Sequence, residues 1–260
     1  MSHHKQTPAH RLWRVNREAV LLLTGPRALL MQIAHPAIAA GVREHSGWQT
    51  QPVRRLLRTL WLINQAALGD EDSARRAVQK IEHRHRYVKG HYRLRPAEKP
   101  LAYHADDSAL KMWVLATLID GSIYGYQRWV GALSEEALRE YYAGWQLVAR
   151  RFSIAREHIP ADYPCFQNYV SHMLHSETLQ VGADAKALAA ALLGATRLFK
   201  NATRSFVAST LPDSLRRAYD LHGEADDGRW QKNDRRIRWL LRITPPPFRY
   251  SPLAMLARLK

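Results

Sequence analysis

The run Ala77-Val-Gln-Lys-Ile-Glu-His-Arg-His85-Arg-Tyr-Val-Lys-Gly90 reads as one uninterrupted helix, and that reading decides the fold. It contains good helix formers, no proline, and no strand-like alternation of apolar and polar side chains. Asp70 or Asp72 can accept from the free N–H groups of its first turn, and Gly90 supplies a stop. One helix length earlier, Pro52 opens a second helix to about Leu68. That helix carries Arg55-Leu-Leu-Arg58-Thr59 and then the apolar run Leu60-Trp-Leu-Ile63.

The same punctuation recurs in both directions. Arg11–Leu23 is predicted helical and is stopped by Gly25. Pro26 opens Pro26–Ser46, which Pro36 bends or splits. Gly90, Pro96 and Pro100 mark Val88–Tyr103 as a loop. A long helix from about Asp107 to Gly131 follows, then one beginning at Ser134-Glu-Glu-Ala with an acidic first turn. Further helices are predicted at Cys165–Glu177, Ala183–Gly194, Arg197–Ser209, Pro212–Leu221 and Asp234–Ile243. Pro245-Pro-Pro247 ends the last, and Ser251–Leu259 reads as a short tail helix. No repeat, low-complexity tract or long linker divides the chain. The expectation is an all-α, single multi-helix globular domain over residues 11–250, between a flexible tail (1–10) and a basic C-terminal tail (251–260).

The 260 residues carry 39 Lys plus Arg against 23 Asp plus Glu, a net charge of +16. That balance calls for anionic partners: phosphates, acidic lipids, nucleic acid or the carboxylates of a cofactor. Cys165 is the only cysteine, so no internal disulfide forms and a reducing, cytoplasmic setting is expected. The polar start, with His3 and His4, shows no export signal. Ala19–Val42 is apolar but interrupted by Gly25, Pro26, Arg27, Gln32, His35 and Pro36, so it is not a membrane span. A soluble or peripheral protein is expected.

Arg55, Arg58 and Thr59 stand at i, i+3, i+4 and share one helix face. A solvated basic face is the plainer reading; the competing one is a site for carboxylates, which the planar guanidinium fork suits. His85 is a candidate metal ligand, because a neutral imidazole on a rigid helix is a usual way to hold haem iron. Its plainer reading is a surface or hydrogen-bonding histidine among Arg75, Arg76, Lys80, Arg84, Arg86 and Lys89. His83 lies about 200° around the helix from His85, so the two cannot share one ion. Glu82-His-Arg-His85 fits the Glu-x-x-His of di-iron bundles, but no second such motif exists. His172 and His175 lack the rest of a zinc motif. His35 and His45 read first as buried, hydrogen-bonded histidines, and second as pocket residues.

Several strings, in order, carry a resemblance. They are Gly25-Pro-Arg-Ala-Leu-Leu-Met-Gln-Ile-Ala-His-Pro36, Ala40-Gly-Val-Arg-Glu-His45-Ser46, Pro52-Val-Arg-Arg-Leu-Leu-Arg-Thr59, Gly69-Asp70 and His85-Arg-Tyr-Val-Lys-Gly90. Tyr103-His-Ala-Asp-Asp107, Leu110-Lys-Met-Trp-Val-Leu-Ala-Thr-Leu118 and Leu211-Pro-Asp-Ser-Leu-Arg-Arg-Ala-Tyr219 continue it. Together they resemble the MpaB / rubber-oxygenase (latex-clearing protein) family over most of the chain. The resemblance implies an all-helical fold, a non-covalent haem b, and cleavage of carbon–carbon double bonds in isoprenoid chains with dioxygen. It places the proximal ligand at His85, in the His-x-x-Val-x-Gly pattern. The distal-side Arg-x-x-Lys-Thr pattern falls on Arg55, Arg58 and Thr59.

Three positions depart from the family. Arg58 replaces a lysine that can cap the iron; arginine has no free lone pair and cannot ligate. Glu82 stands where rubber oxygenases have an arginine, and Leu115 where many relatives have a histidine.

The reading implied is a haem-b-dependent oxygenase acting on an apolar, isoprenoid or lipid-like substrate. His85 would ligate, with its other ring nitrogen held by a carbonyl or carboxylate. Arg55 and Arg58 would hold propionates or activated oxygen, Thr59 would relay a proton, and Glu44 is a candidate base. His35 and His45 would line the cofactor pocket. No electron donor is legible.

The competing reading is a non-catalytic basic protein on anionic membranes or nucleic acid. Arg229–Lys260 carries nine basic residues and one acid, Asp234, with Trp230, Trp239 and Phe248 interleaved. That mix suits an anionic membrane surface. No nucleic-acid-binding motif accompanies it, which disfavours nucleic acid.

Overall fold

Prolines and side-chain caps cut the chain into its helices largely where the sequence places them. The computed structural model describes residues 8–46, 52–94, 98–194, 200–224 and 227–258. The first half contains α1 (Pro8–Asn16), a 3-10 turn (Ala19–Thr24), α2 (Gly25–Ile33), α3 (Pro36–His45), α4 (Pro52–Leu68) and α5 (Glu71–His85). A hairpin of β1 (Lys89–Tyr92) and β2 (Leu101–His104) leads to α6 (Ser108–Gly125), a π-turn (Tyr126–Val130) and α7 (Glu135–Arg151). Then follow α8 (Tyr163–His175), α9 (Ala183–Gly194), α10 (Lys200–Thr210), α11 (Asp213–Ala218), α12 (Asp227–Ile243), α13 (Pro246–Arg249) and α14 (Pro252–Arg258).

The caps explain the starts. Pro26 and Pro36 occupy first turns, where a missing N–H costs nothing. Asp70 accepts from Ser73 N at 2.7 Å, Asp107 from Ala109 N at 2.8 Å, and Ser134 from Ala137 N at 3.2 Å. His35 caps α3 in the same way, its Nδ1 accepting from Ala37 N at 3.2 Å.

The core is built around α6. No residue from Leu110 to Tyr126 is exposed, as expected of a helix apolar around its whole circumference. α2 lies against it through Trp113 Nε1, which donates to Met31 O at 3.1 Å, and Gln32 Nε2, which donates to Thr117 Oγ1 at 2.9 Å. Buried Arg27 donates to Asp120 at 2.6 Å and to Thr210 O, and stacks on the Tyr124 ring at 4.5 Å. A single all-α domain is thus observed, with one two-stranded sheet among the described residues.

Four boundaries differ from expectation. Arg11–Leu23 is not one helix: α1 ends at Asn16 and the chain restarts in the 3-10 turn. α5 stops at His85, five residues short of Gly90. The predicted loop Val88–Tyr103 instead holds the antiparallel hairpin, pairing Lys89 with His104 and Gly90 with Tyr103. α12 begins at Asp227 rather than Asp234. Tail assignments change as well. Pro8–His10 already belong to α1, while His3 and His4 lie outside the described residues. The C-terminal segment is a docked helix, α14, with Ala254 and Ala257 fully buried where it meets α4.

Burial pulls the pKa of His35 down to about 4, with Asp107 opposing weakly. Its folded-state pKa lies below the ordinary 6.5, so the unfolded chain binds the extra proton between those values. Stability is therefore full above pH 6.5 and falls as the pH drops toward 4, by about 3 kcal/mol in all. His35→Asn keeps a capping acceptor and removes the titration. Urea unfolding at pH 7 and pH 4.5 should show a smaller acid loss in this variant than in the wild type. Equal losses would exclude His35 as the source.

Candidate active site

A cavity of about 770 Å³ lies between α2, α3, α4, α5, α6 and the hairpin. Its size falls within the range of small-molecule and cofactor pockets. The walls are predominantly apolar: Leu29 of α2, Ile38 and Val42 of α3, Leu60 and Ile63 of α4, and Leu115 of α6. The polar side chains that line it include Gln32, Thr59, Arg84, His85, Tyr103 and Lys111.

His85 is the last residue of α5 and lines this cavity. Its Nδ1 is buried and has no hydrogen-bond partner. Burial lowers its pKa; Asp106 opposes that shift, while Lys111 and His104 reinforce it. A ring biased toward the neutral form, with an uncommitted nitrogen, has the state a metal ligand needs.

The expected partner for the second ring nitrogen is not formed, but a carboxylate stands nearby. Ala105 N donates to Val88 O at 2.9 Å, which brings the segment after β2 alongside the end of α5. Asp106 Oδ1 is itself buried without a hydrogen bond and lies 3.9 Å from Lys111 Nζ. Lys111 Nζ donates to Phe152 O at 3.0 Å. His85 Nδ1 and Asp106 Oδ1 are thus both buried without a hydrogen-bond partner, an uncommon state in a folded protein.

The other candidates separate. Thr59 lines the cavity and is exposed at its edge. Arg58 is exposed and does not line it. Arg55 is in α4, and its side chain lies outside the described residues.

His45 lines the rim, with Nε2 3.1 Å from Lys89 O. His35 does not line the cavity; its ring nitrogen is spent on capping α3, in agreement with the plainer reading. His83 sits exposed at the rim, edge-on to Tyr87. His172 and His175 are away from it, and His175 Nδ1 meets Ser171 O at 2.7 Å. No group of three or more His, Cys, Asp or Glu side chains among the described residues is arranged to hold a metal.

Glu44 is engaged elsewhere. Tyr103 Oη donates to it at 2.8 Å and Arg43 pairs with it at 2.8 Å. The Tyr103 hydrogen bond, then Arg43, lower its pKa, which makes it a poorer base than an ordinary carboxylate. Burial and the same hydrogen bond push the Tyr103 hydroxyl well up.

This pair explains Gly90. A Cβ there would lie 2.7 Å from Glu44 Oε2 and 2.9 Å from Tyr103 Oη, and Gly41 flanks the other side of the same ring. Sequence reasoning missed Tyr103, Asp106 and Lys111 as site residues. The one local signal was that Asp107 caps α6, which leaves the adjacent Asp106 without a structural task.

A family model described as ER-bound oxygenase mpaB/B'/Rubber oxygenase, catalytic domain, matches residues 13–244. The chain belongs to this family. No curated protein and no solved structure matches it. The match spans every element that encloses the cavity.

Gly90→Ala should cost about 1–3 kcal/mol, because the added methyl overpacks a ring held between two glycines. Most of that cost should vanish in a Tyr103→Phe background, where the hydroxyl is gone and Glu44 is free to move. Chemical denaturation of the four variants in a double-mutant cycle measures it. Additive costs would mean that Gly90 is needed for a different reason.

Proposed function

We propose that the chain is a haem-b-dependent oxygenase that uses dioxygen to oxidise or cleave an apolar, isoprenoid or lipid-like substrate. The observation that carries this reading is the unpartnered, buried Nδ1 of His85 in an apolar cavity of cofactor size. The family match supports the oxygenase class. The donor set fits a haem: one neutral-biased imidazole, no competing protein metal site among the described residues, and apolar walls for a flat ring.

Bound there, the haem would supply dioxygen activation and the redox chemistry. The chain's own residues divide the remaining work. His85 would hold the iron. Asp106 would accept from the other ring nitrogen, fixing the tautomer and raising the basicity of the ligand. Thr59 offers a hydroxyl at the cavity edge that can donate or pass a proton.

Arg58 is better placed for propionates at a solvent edge than for a group inside the cavity, given its exposure. Arg55 is assigned the same task from the sequence pattern that it shares with Arg58. Leu115 keeps the α6 wall of the cavity apolar, which suits an apolar substrate. Glu44 keeps Tyr103 and the hairpin in place rather than removing protons, since its pKa is lowered.

Haem titration of the purified chain, with a pyridine haemochrome assay, tests the assignment. His85→Ala should lose the Soret band while its far-ultraviolet circular dichroism stays helical. A normal Soret band in that variant would remove His85 as the ligand.

Asp106→Asn should still bind haem, with affinity reduced roughly 10–100-fold and a raised iron reduction potential. Unchanged affinity and potential would mean that Asp106 serves only Lys111.

A further inference from the structure

The helix α12 is fixed in rotation by its inner face. Asp234 accepts from Arg128 Nε and Trp129 Nε1, both at 2.8 Å. Trp230 Nε1 donates to Ser205 Oγ at 2.7 Å, and its ring meets Phe206 edge-on at 5.0 Å. Ile237 and Leu241 pack on the core beside them. At the helix end, Arg249 Nη1 returns to Leu241 O at 3.0 Å.

What α12 turns outward is therefore set by the fold. Trp239, Leu240 and Ile243 lie within about 100° of one another on the helical wheel. They are 60%, 51% and 56% exposed. Just beyond the three prolines, Phe248 is 81% exposed.

Lys232, Arg235, Arg236, Arg238 and Arg242 flank this stripe along one side and on the preceding turns, and all five are exposed. None forms an ion pair with a described residue. The only acid from Gly228 to Lys260 is Asp234, and it faces the core.

We propose that this face, Trp239, Leu240, Ile243 and Phe248 with the cations that flank it, is a docking surface for an anionic phospholipid bilayer. The charge complementarity is one-sided: five outward cations and no outward carboxylate on α12 between Lys232 and Ile243. An aromatic and aliphatic stripe beside arginines is the composition of a helix that lies in the headgroup region. Tryptophan and long basic side chains both favour that boundary, with apolar bodies inward and polar ends in water. No helix among the described residues is long and apolar enough to cross a membrane, so contact by this face would be interfacial. The proposal does not depend on the haem assignment, because none of these residues lines the cavity.

The test is co-sedimentation of the full chain with phosphatidylcholine vesicles and with vesicles that also contain phosphatidylserine, at low and high salt. Partition into the anionic vesicles should exceed that into neutral ones at least ten-fold at low salt, and should collapse as salt is raised. Brominated acyl chains should quench part of the tryptophan emission. That quenching should shrink in Trp239→Phe while binding persists.

Trp239→Ser with Phe248→Ser should lose binding at an unchanged melting temperature, as expected for two exposed side chains. Equal partition into both vesicle types would overturn the proposal. So would a serine double variant that still binds. Light scattering that shows a wild-type dimer, and a monomer for the serine variant, would also overturn it by assigning the face to a second copy of the chain.

Discussion

A guanidinium taken out of water must be paired, and the architecture turns on how Arg27 meets that demand. Arg27 sits on α2 with only 6% of its side chain exposed. Its partners are Asp120 on α6, the Thr210 carbonyl at the end of α10, and the face of Tyr124. Each contact ties α2 to another element. Removing one partner would leave a buried charge uncompensated, which typically costs 3–5 kcal/mol. α2 and α6 are two walls of the cavity, so the ion pair that joins their far ends also fixes the cavity's width. Gln32–Thr117 and Trp113–Met31 continue the same seam toward His85.

The other walls meet at the hairpin, and there the limiting contact is steric. β1 and β2 can approach α3 only because Gly41 and Gly90 leave room on either side of the Tyr103 ring. The Tyr103–Glu44 hydrogen bond then closes the join. The hairpin also ends α5. After His85 the chain turns, Val88 N bonds back to His85 O, and Val88 O is taken by Ala105 N. The imidazole thus stands on the last turn of a helix with strand pairing directly behind it. That is a stiff mount for a ligand.

Much of this was legible in the sequence, and what was hidden has identifiable causes. Pro36, Pro52, Asp70 and Ser134 announce their helix boundaries through local chemistry: a fixed φ, or an oxygen within reach of free N–H groups. The class of fold followed from them. The stop at His85 has no such mark, since Arg86, Tyr87 and Val88 tolerate helix. It comes from pairing with residues 101–104, which lie beyond two prolines that read locally as loop.

The site divides along the same line. His85 could be singled out by its own chemistry and by resemblance. Asp106 and Lys111 could not, because their importance lies in what they face across the fold. Glu44, read as a candidate base, is seen through Tyr103 to be a structural carboxylate.

Burial also makes the two sides of the cavity mechanically unequal. On the His85 side, helix cap, hairpin and glycine contacts all restrict movement. On the α4 side, Leu57, Arg58 and Thr59 are exposed, while Gln65 and Ala66 further along the helix are buried. Local opening costs least where few apolar contacts hold an element. α4 is anchored at its C-terminal half, where Arg151 bonds to Ala66 O at 2.8 Å and α14 packs. The ligand role proposed for His85 requires a fixed direction, and the apolar substrate proposed for the cavity requires a way in. The contacts among the described residues concentrate behind His85, and the exposed stretch of the opposite wall is at Leu57, Arg58 and Thr59.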